Sequence, residues 1–355
     1  MKPAERRARQ YKQSAHEAGL RYVNDNEPGI TRKRRGKAFV YIHSSGRRVI
    51  DAPVLKRIAS LVIPPAYEDV WICSDPRGHL QATGRDERGR KQARYQSDFR
   101  AVREQSKFDH VIGFAKALPK LRRTVARDLR RKGLPRRKVL AAVVQMLEKT
   151  LVRIGNDTSA NEDKHFGLTT IENRHVKVNG HDLSLNFVGK SGKPHQIKFK
   201  SKTLATIVRK CQDLPGQQLF GYVDDDGQVG DVKSTDVNDY LRDISAQDIT
   251  AKDFRTFTAT VLVAQALAAC AACDSLSAVK KNIVSAIEQV AKKLGNTRTV
   301  CRKCYVHPAI LNAYMDGTTI KVLNKQADAL RSTTRLSDDE TQVVRLLKKA
   351  MKRLK

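Results

Sequence analysis

Apolar positions recur along this chain with two periods, and the change between them divides the sequence. Between residues 38 and 86 they alternate in short runs, "AFVYIH" (38–43), "DVWICS" (69–74) and "HLQATGRD" (79–86). That two-residue period predicts half-buried strands, with "IPP" at 63–65 as punctuation. From "SDFRAVREQSKFDHVIGFAKAL" onward the period lengthens to that of helices. In "RRKVLAAVVQMLEKTLVRIGN" (136–156) apolar residues return at i, i+3, i+4 and i+7, which predicts one long helix with Arg153 at its end. Glycine-bearing turns then separate the β-rich runs "GLTTI", "HVKVNG" and "LSLNFVGKSGKPHQIKFK", a meander of about three strands. Its hairpin tip, "VGKSGKPH", carries Lys190 and Lys193. Helices resume over 201–212, 234–244, 251–271 and 276–294, and "TQVVRLLKKAMKRLK" reads as a basic amphipathic helix.

These elements predict an α+β protein with its strands and helices segregated. Residues 1–36, polar and basic, read as a loosely ordered arm, 37–106 as a small β-rich domain, 107–320 as a larger, mostly helical domain interrupted by the meander, and 321–355 as a basic helical tail. A chain of 355 residues is long enough for about two cores.

Charge narrows the partners. Lys and Arg number 68 against 37 Asp and Glu, a formal net charge of +31. A compact body with that charge repels itself, so a polyanion is the expected partner, and nucleic acid the leading one. The residues concentrate in blocks. "LRRTVARDLRRKGLPRRK" (121–138) holds nine cations against one Asp, and "GRDERGRKQARY" (84–95) five against two acids. Such blocks supply phosphate contacts that weaken with salt and carry no sequence information. No apolar run of about 18 residues appears, nor an N-terminal secretion signal, and six cysteines do not make a disulfide scaffold at this length. A cytoplasmic protein with reduced thiols is the expectation.

The chemistry centres on "LGNTRTVCRKCYVHP" (294–308). Three readings of Tyr305 compete: a packing residue, a bystander to zinc held by the CxxC pairs 270/273 and 301/304, and a nucleophile. The 27-residue spacer between the pairs is long for a zinc ribbon, and "AQALAACAACDSL" is a small-residue helix in which Cys acts as a compact apolar side chain. "GYVDDDGQVGD" lacks the ligand spacing of a calcium loop, and no Gly-rich nucleotide loop is present. A phenol with a pKa of about 10 attacks phosphorus only if cations favour the phenolate and neutralise the phosphate oxygens, and if an acid protonates the leaving alkoxide. Arg153, Lys190 in "FVGKSGK", Arg255 in "AKDFRTFTAT" and Asn296 in "LGNT" supply those parts, although each alone has an ordinary structural explanation.

Taken in order, "ATGRDERGRKQARY", "HFGLTTIENRHVKV", "FVGKSGKPH", "KDFRTF" and "LGNTRTVCRKCYVHP" resemble the small type IB DNA topoisomerases, bacterial and poxvirus-like, over residues 20 to 320. The resemblance implies a small β domain that clamps DNA and a helical catalytic domain. It also implies ATP-independent relaxation of duplex DNA by a monomer, with neither metal nor nucleotide as cofactor. Tyr305 then corresponds to the nucleophile that takes the 3′ phosphate and releases a 5′ hydroxyl. Arg153 and Arg255 correspond to the clamps on the non-bridging oxygens, and Lys190 to the general acid. Asn296 stands where other members place His and would donate a hydrogen bond without a charge. Lys252 corresponds to a DNA contact beside the site, with Arg85, Arg88, Arg90, Lys91, Tyr95 and Lys193 as further DNA-binding candidates. The alternatives are a tyrosine recombinase, whose usual HxxR pattern has Lys252 in place of its His here, and a DNA-binding protein without catalysis.

Overall fold

The computed structural model describes residues 3–36, 38–270, 275–319 and 335–353. The chain divides into two compact units, one ending at Asp109 and one beginning at His110.

The first unit contains α1 (Pro3–Glu17), β1 (Ile30–Arg35), β2 (Ala38–Ile42), α2 (Ala52–Ser60), β3 (Glu68–Ile72), β4 (Leu80–Arg85) and β5 (Lys91–Tyr95). The strands form one antiparallel sheet in the order β2-β1-β3-β4-β5. Within the stretch read as a loosely ordered arm (1–36), the described residues from Pro3 onward instead supply a helix and an interior strand. The strand "ITRKRR" hides from a hydrophobicity pattern because Ile30 is its one buried residue. A side-chain device replaces the missing apolar contacts. Arg32 donates to the carbonyls of Ile63, Pro64 and Tyr67 at 3.3, 3.0 and 2.6 Å, and its guanidinium lies 4.2 Å from the Phe39 ring centroid. Ile30, Val49, Ile58, Val70, Ile72 and Ala82 form the main core of this unit. Tyr11, His79, Tyr95 and Phe99 form an aromatic cluster beside Val23, Cys73 and Leu80.

Helix α3 (Ser97–Asp128) leads into the second unit, which continues with α4 (Arg136–Thr150), α5 (Asp157–Asp163), β6 (Val176–Asn179), β7 (Asp182–Gly189), β8 (Lys193–Lys200) and α6 (Lys202–Gln212). There follow β9 (Gly221–Val223), β10 (Val229–Asp231), α7 (Ser234–Ser245), α8 (Ala251–Ala269), α9 (Leu276–Leu294), α10 (Arg298–Cys304), α11 (Pro308–Met315) and α12 (Asp338–Arg353). The strands β6-β7-β8 form the meander, and β9 and β10 a two-stranded ribbon. Phe114, Met146, Leu147, Leu168 and Phe257 are among the buried side chains of one continuous core.

Two expectations change here. The helix expected over 136–156 stops at Thr150, because Leu151 takes a left-handed conformation (φ 57) and turns the next residues out of helical geometry. Arg153 thus sits on an irregular segment. Nor is the C-terminal helix an appended tail. Residues 320–334 lie outside the described residues, but Val343, Val344, Leu346 and Leu347 of α12 are buried in the core. Arg122 of α3 donates to both Glu340 carboxylate oxygens at 2.7 and 3.0 Å and to Glu148 at 2.7 Å, which holds α12 down. Among the described residues no helix is long and apolar enough to cross a membrane.

Candidate active site

Arg153 owes its place to two glycines. The segment after Leu151 is bonded to the "GLTT" stretch: Leu168 N donates to Arg153 O (2.9 Å), and Thr169 N donates to Ile154 O (2.7 Å). A Cβ on Gly167 would lie 2.5 Å from Gly155 N and Cα, so the two backbones cross where no side chain fits. Gly155 also has φ +113, which favours glycine on conformational grounds. The strand-like crossing fixes the backbone from which Arg153 extends.

Lys190 opens the three-residue turn between β7 and β8, whose last pair is Gly189↔Lys193. Ser191 (φ 64) and Gly192 (φ 71) are both left-handed, which lets the hairpin close while its tip stays exposed. Alternate residues of β7, Leu183, Leu185 and Phe187, are buried. The meander is thus anchored on one face and leaves Lys190 on the other end of a rigid lever.

Arg255 is 3% exposed, an unusual position for a cation. Helix α8 begins with a capping box in which Thr250 N donates to Asp253 (2.7 Å), and Arg255 follows in the next turn. Its guanidinium bridges the carboxyl ends of two other helices, donating to Leu151 O after α4 and to Leu294 O of α9 (2.9 Å). The negative ends of two helix dipoles compensate the buried charge. Burial still pushes the Arg255 pKa below its ordinary value, with Tyr305 opposing that shift and Arg153 adding to it. Lys252, one turn earlier, is exposed.

The "LGNTRTVCRKCYVHP" stretch builds the remainder. Gly295 (φ 61) closes α9, its N–H donating to Lys292 O (3.1 Å), while Asn296 N donates to Ala291 O (2.9 Å). That reversal sends Asn296 inward. Thr297 caps α10, and Tyr305 ends it, 9% exposed, with the Arg255 guanidinium 5.1 Å from its ring centroid. The Thr260 hydroxyl of α8 accepts from His307 N (3.2 Å) and lies 3.2 Å from Tyr305 O, tying the tyrosine backbone to the helix that carries Arg255.

Arg153, Lys190, Lys252, Arg255 and Tyr305 line a single cleft of about 310 Å³. Asn296 reaches it through Arg153, whose guanidinium donates to the Asn296 amide oxygen. That bond fixes the amide: its oxygen faces the cation, so its nitrogen remains the donor. Two buried donors here have no hydrogen-bond partner, Asn296 Nδ2 and Arg255 Nε. Both atoms are shielded from solvent, and it is the lining cations Arg153, Lys190, Lys252 and Arg255 that suit the cleft to an anionic guest.

The other candidates lie elsewhere. Lys193 begins β8 and is half-buried. Arg85, Arg88, Arg90, Lys91 and Tyr95 belong to the first unit, around the β4–β5 hairpin. There Arg90 donates to Asp86 (2.9 Å), Lys91 pairs with Asp25, and Arg85 lies 3.4 Å from Asp69. Tyr95 is half-buried, its ring committed to the aromatic cluster. Of the CxxC thiols, Cys273 lies outside the described residues. Cys301 is buried, which pushes its thiol up to about 11, and Cys270 and Cys304 are half-buried. Asp224, first of the acidic run, scaffolds the β9–β10 turn by accepting from Asp226 N (3.1 Å) and Gln228 N (2.7 Å).

Sequence reading missed Asn156, Ser159, His165 and Phe166, which also line the cleft. It missed Thr260 and the two carbonyls that hold Arg255 as well. "HFGLTTI" was the available signal, because a Gly-Leu-Thr-Thr turn between a candidate arginine and a candidate lysine marks close backbone approach.

Comparison with known proteins shows the family. A family described as eukaryotic DNA topoisomerase I, catalytic core, matches residues 96–334, and one described as bacterial DNA topoisomerase IB, N-terminal domain, matches 38–86. DNA topoisomerase 1B of Acanthamoeba polyphaga mimivirus is 30% identical over 309 residues, 85% of this chain and 92% of the relative. DNA topoisomerase 1B of Vaccinia virus (strain Copenhagen) is 21% identical over 263 residues, 73% of this chain and 79% of the relative. With a cleft that gathers the tyrosine and its cations, and with matches to both parts of the chain, this protein belongs to the type IB DNA topoisomerase family.

Proposed function

We propose that the protein relaxes supercoiled duplex DNA by cutting one strand through a 3′-phosphotyrosyl intermediate, letting the free end turn, and resealing it. The second unit is then a catalytic domain of the type IB fold and the first a DNA clamp. Tyr305 Oη gives its proton to solvent and attacks the scissile phosphorus, the P–O5′ bond breaks, and Lys190 delivers the proton that the 5′ oxygen takes as it leaves. Resealing runs the same steps in reverse, with the 5′ hydroxyl as nucleophile and Tyr305 as leaving group. Two transesterifications conserve bond energy, so the reaction needs no nucleotide.

The observation that carries this reading is the single cleft in which Tyr305 meets Arg153, Lys190 and Arg255, with Asn296 bonded to Arg153. A phosphorane's non-bridging oxygens would find cationic donors there. Preorganised donors of this kind contribute about 10²–10³ in rate each. A positioned general acid contributes about 10²–10⁴. Asn296 fits the donor part of that role without a proton to give, since its orientation is set by Arg153.

The test is relaxation of a supercoiled plasmid that carries no recombination site, in chelator and without ATP. It is paired with a denaturing gel of the trapped complex on end-labelled DNA. Relaxation and a protein-linked 3′ end are expected, and both should vanish in Tyr305→Phe while duplex affinity stays. Relaxation retained in that variant overturns the nucleophile assignment. A 5′-linked strand overturns the polarity.

A further inference from the structure

Lys190 stands at an exposed tip, yet a general acid must be held to within a fraction of an ångström of its target. The feature that steadies it is His195 on β8. Its ring lies flat on Phe187, its cross-strand partner, with centroids 5.0 Å apart and planes 12° from parallel. Its edges meet two glycines. A Cβ on Gly189, the residue before Lys190, would fall 2.6 Å from His195 Cδ2, and one on Gly295, the residue before Asn296, 2.7 Å from Cε1.

The glycines differ in why they are glycine. Gly295 has φ 61, so the α9 cap already demands it. Gly189 is extended (φ −95, ψ −171), a conformation open to side chains, and it is the imidazole that leaves no room for one. The ring therefore fills the space between the residue that precedes the proton donor and the residue that precedes the oxyanion donor.

We propose that His195 is a positioning residue for strand cleavage, a flat spacer that locks the Lys190 hairpin onto the Gly295–Asn296 cap and so sets the distance between the two. This rests on Lys190 as general acid, and it extends that reading to a residue outside the reacting set. The ring works as a neutral group. Burial, Arg153 from the segment after α4, Arg255 from α8 and Lys193 from its own strand all hold its pKa below that of an ordinary histidine.

Single-turnover cleavage by His195→Ala, Gly189→Ala and the double variant tests this on two substrates, ordinary DNA and DNA with a 5′-bridging sulfur, whose leaving group needs no proton. His195→Ala should slow cleavage of ordinary DNA by about 10-fold or more, the scale of a small misplacement. It should slow the sulfur substrate far less. Gly189→Ala leaves the histidine in place, pushes it aside with a methyl, and should show the same substrate dependence. The double variant should be no slower than His195→Ala alone, since the methyl then has no ring to displace. Equal slowing on both substrates, or defects that multiply in the double variant, overturns the proposal. Lys190→Ala on the same substrates separates the two levels: if it too slows both equally, the general-acid reading fails first. If Lys190→Ala discriminates and His195→Ala does not, only the role of His195 fails.

Discussion

Arginine and lysine work in opposite ways at two places in the molecule, the β4–β5 hairpin of the first unit and the cleft of the second. Around the β4–β5 hairpin of the first unit, the side chains of Arg85, Arg90 and Lys91 are 52%, 55% and 56% exposed, and each faces a carboxylate. In the second unit Arg255 is almost wholly buried and faces carbonyl oxygens and the Tyr305 ring instead. A solvated cation beside an acid exchanges partners cheaply and is screened by salt. A buried one held by neutral acceptors keeps both its charge and its direction. The first arrangement suits affinity for a polyanion at any register, and the second suits one phosphate in one orientation. Residue type does not separate the two roles, but the partners of each cation do.

The comparison breaks most visibly at Arg255. Arg255→Ala should lower the single-turnover cleavage rate by about 10³ or more, because a phosphate donor and a helix-bridging cation are lost together. It should also lower the melting temperature, since Leu151 O and Leu294 O lose buried partners worth about 1 kcal/mol or more each. Arg255→Lys should recover little of the rate: a compact ammonium lacks the planar fork that spans carbonyls from two helices while aiming a donor at the cleft. A lysine variant within tenfold of wild type would show that charge alone suffices, and the contrast between the hairpin and the cleft would lose its meaning.

Asn296 gives a smaller effect of the same kind. Asn296→Ala should slow cleavage by about 10–100-fold, because one donor is removed and Arg153 loses the oxygen that aims it. Asn296→Asp keeps an acceptor for Arg153 and removes the donor, so it should be at least as slow as the alanine variant. If the aspartate variant cleaves at the wild-type rate, Asn296 acts only by orienting Arg153.

Legibility in the sequence follows the same division. Tyr305, Arg255, Lys190 and Asn296 stood out because helix starts, hairpin tips and helix caps have local signatures, and each of those local structures exists in the fold. Arg153 was found, but its setting was misread, because the apolar period of α4 runs on through Leu151 and Val152 after the backbone has left the helix. Leu151 is buried all the same, so periodicity could not register the turn. In the first unit β1 was invisible, since a strand anchored by one isoleucine and an arginine's hydrogen bonds shows no alternation. The same holds for α1, where Ser14 and Ala15 are among the few buried positions. His195 could not be singled out either: its meaning lies in two glycines, one of them 100 residues away in the chain.

The mildest prediction concerns an acid rather than a cation. Asp86 accepts from Arg88 N (3.1 Å), Arg90 N (3.0 Å), Arg90 Nε (2.9 Å) and Gln92 Nε2 (2.9 Å), so it shapes the β4–β5 turn and at the same time occupies Arg90. The Arg90 guanidinium and these N–H donors hold its pKa at about 2. Because the folded value is depressed, its contribution to stability is present above the ordinary carboxylate range and is lost only as pH falls toward 2, so at neutral pH the carboxylate is fully charged. Asp86→Asn keeps an acceptor for the turn and removes the negative charge. If the first unit's cations serve a polyanion, duplex affinity at low salt should rise by about two- to fivefold, and log Kd should depend more steeply on log salt by up to about one unit of slope. The gain should disappear at high salt. An affinity that falls in Asp86→Asn despite an unchanged melting temperature would mean that the turn needs the carboxylate's charge to present its arginines, and that the exposed cations are as strictly placed as the buried ones.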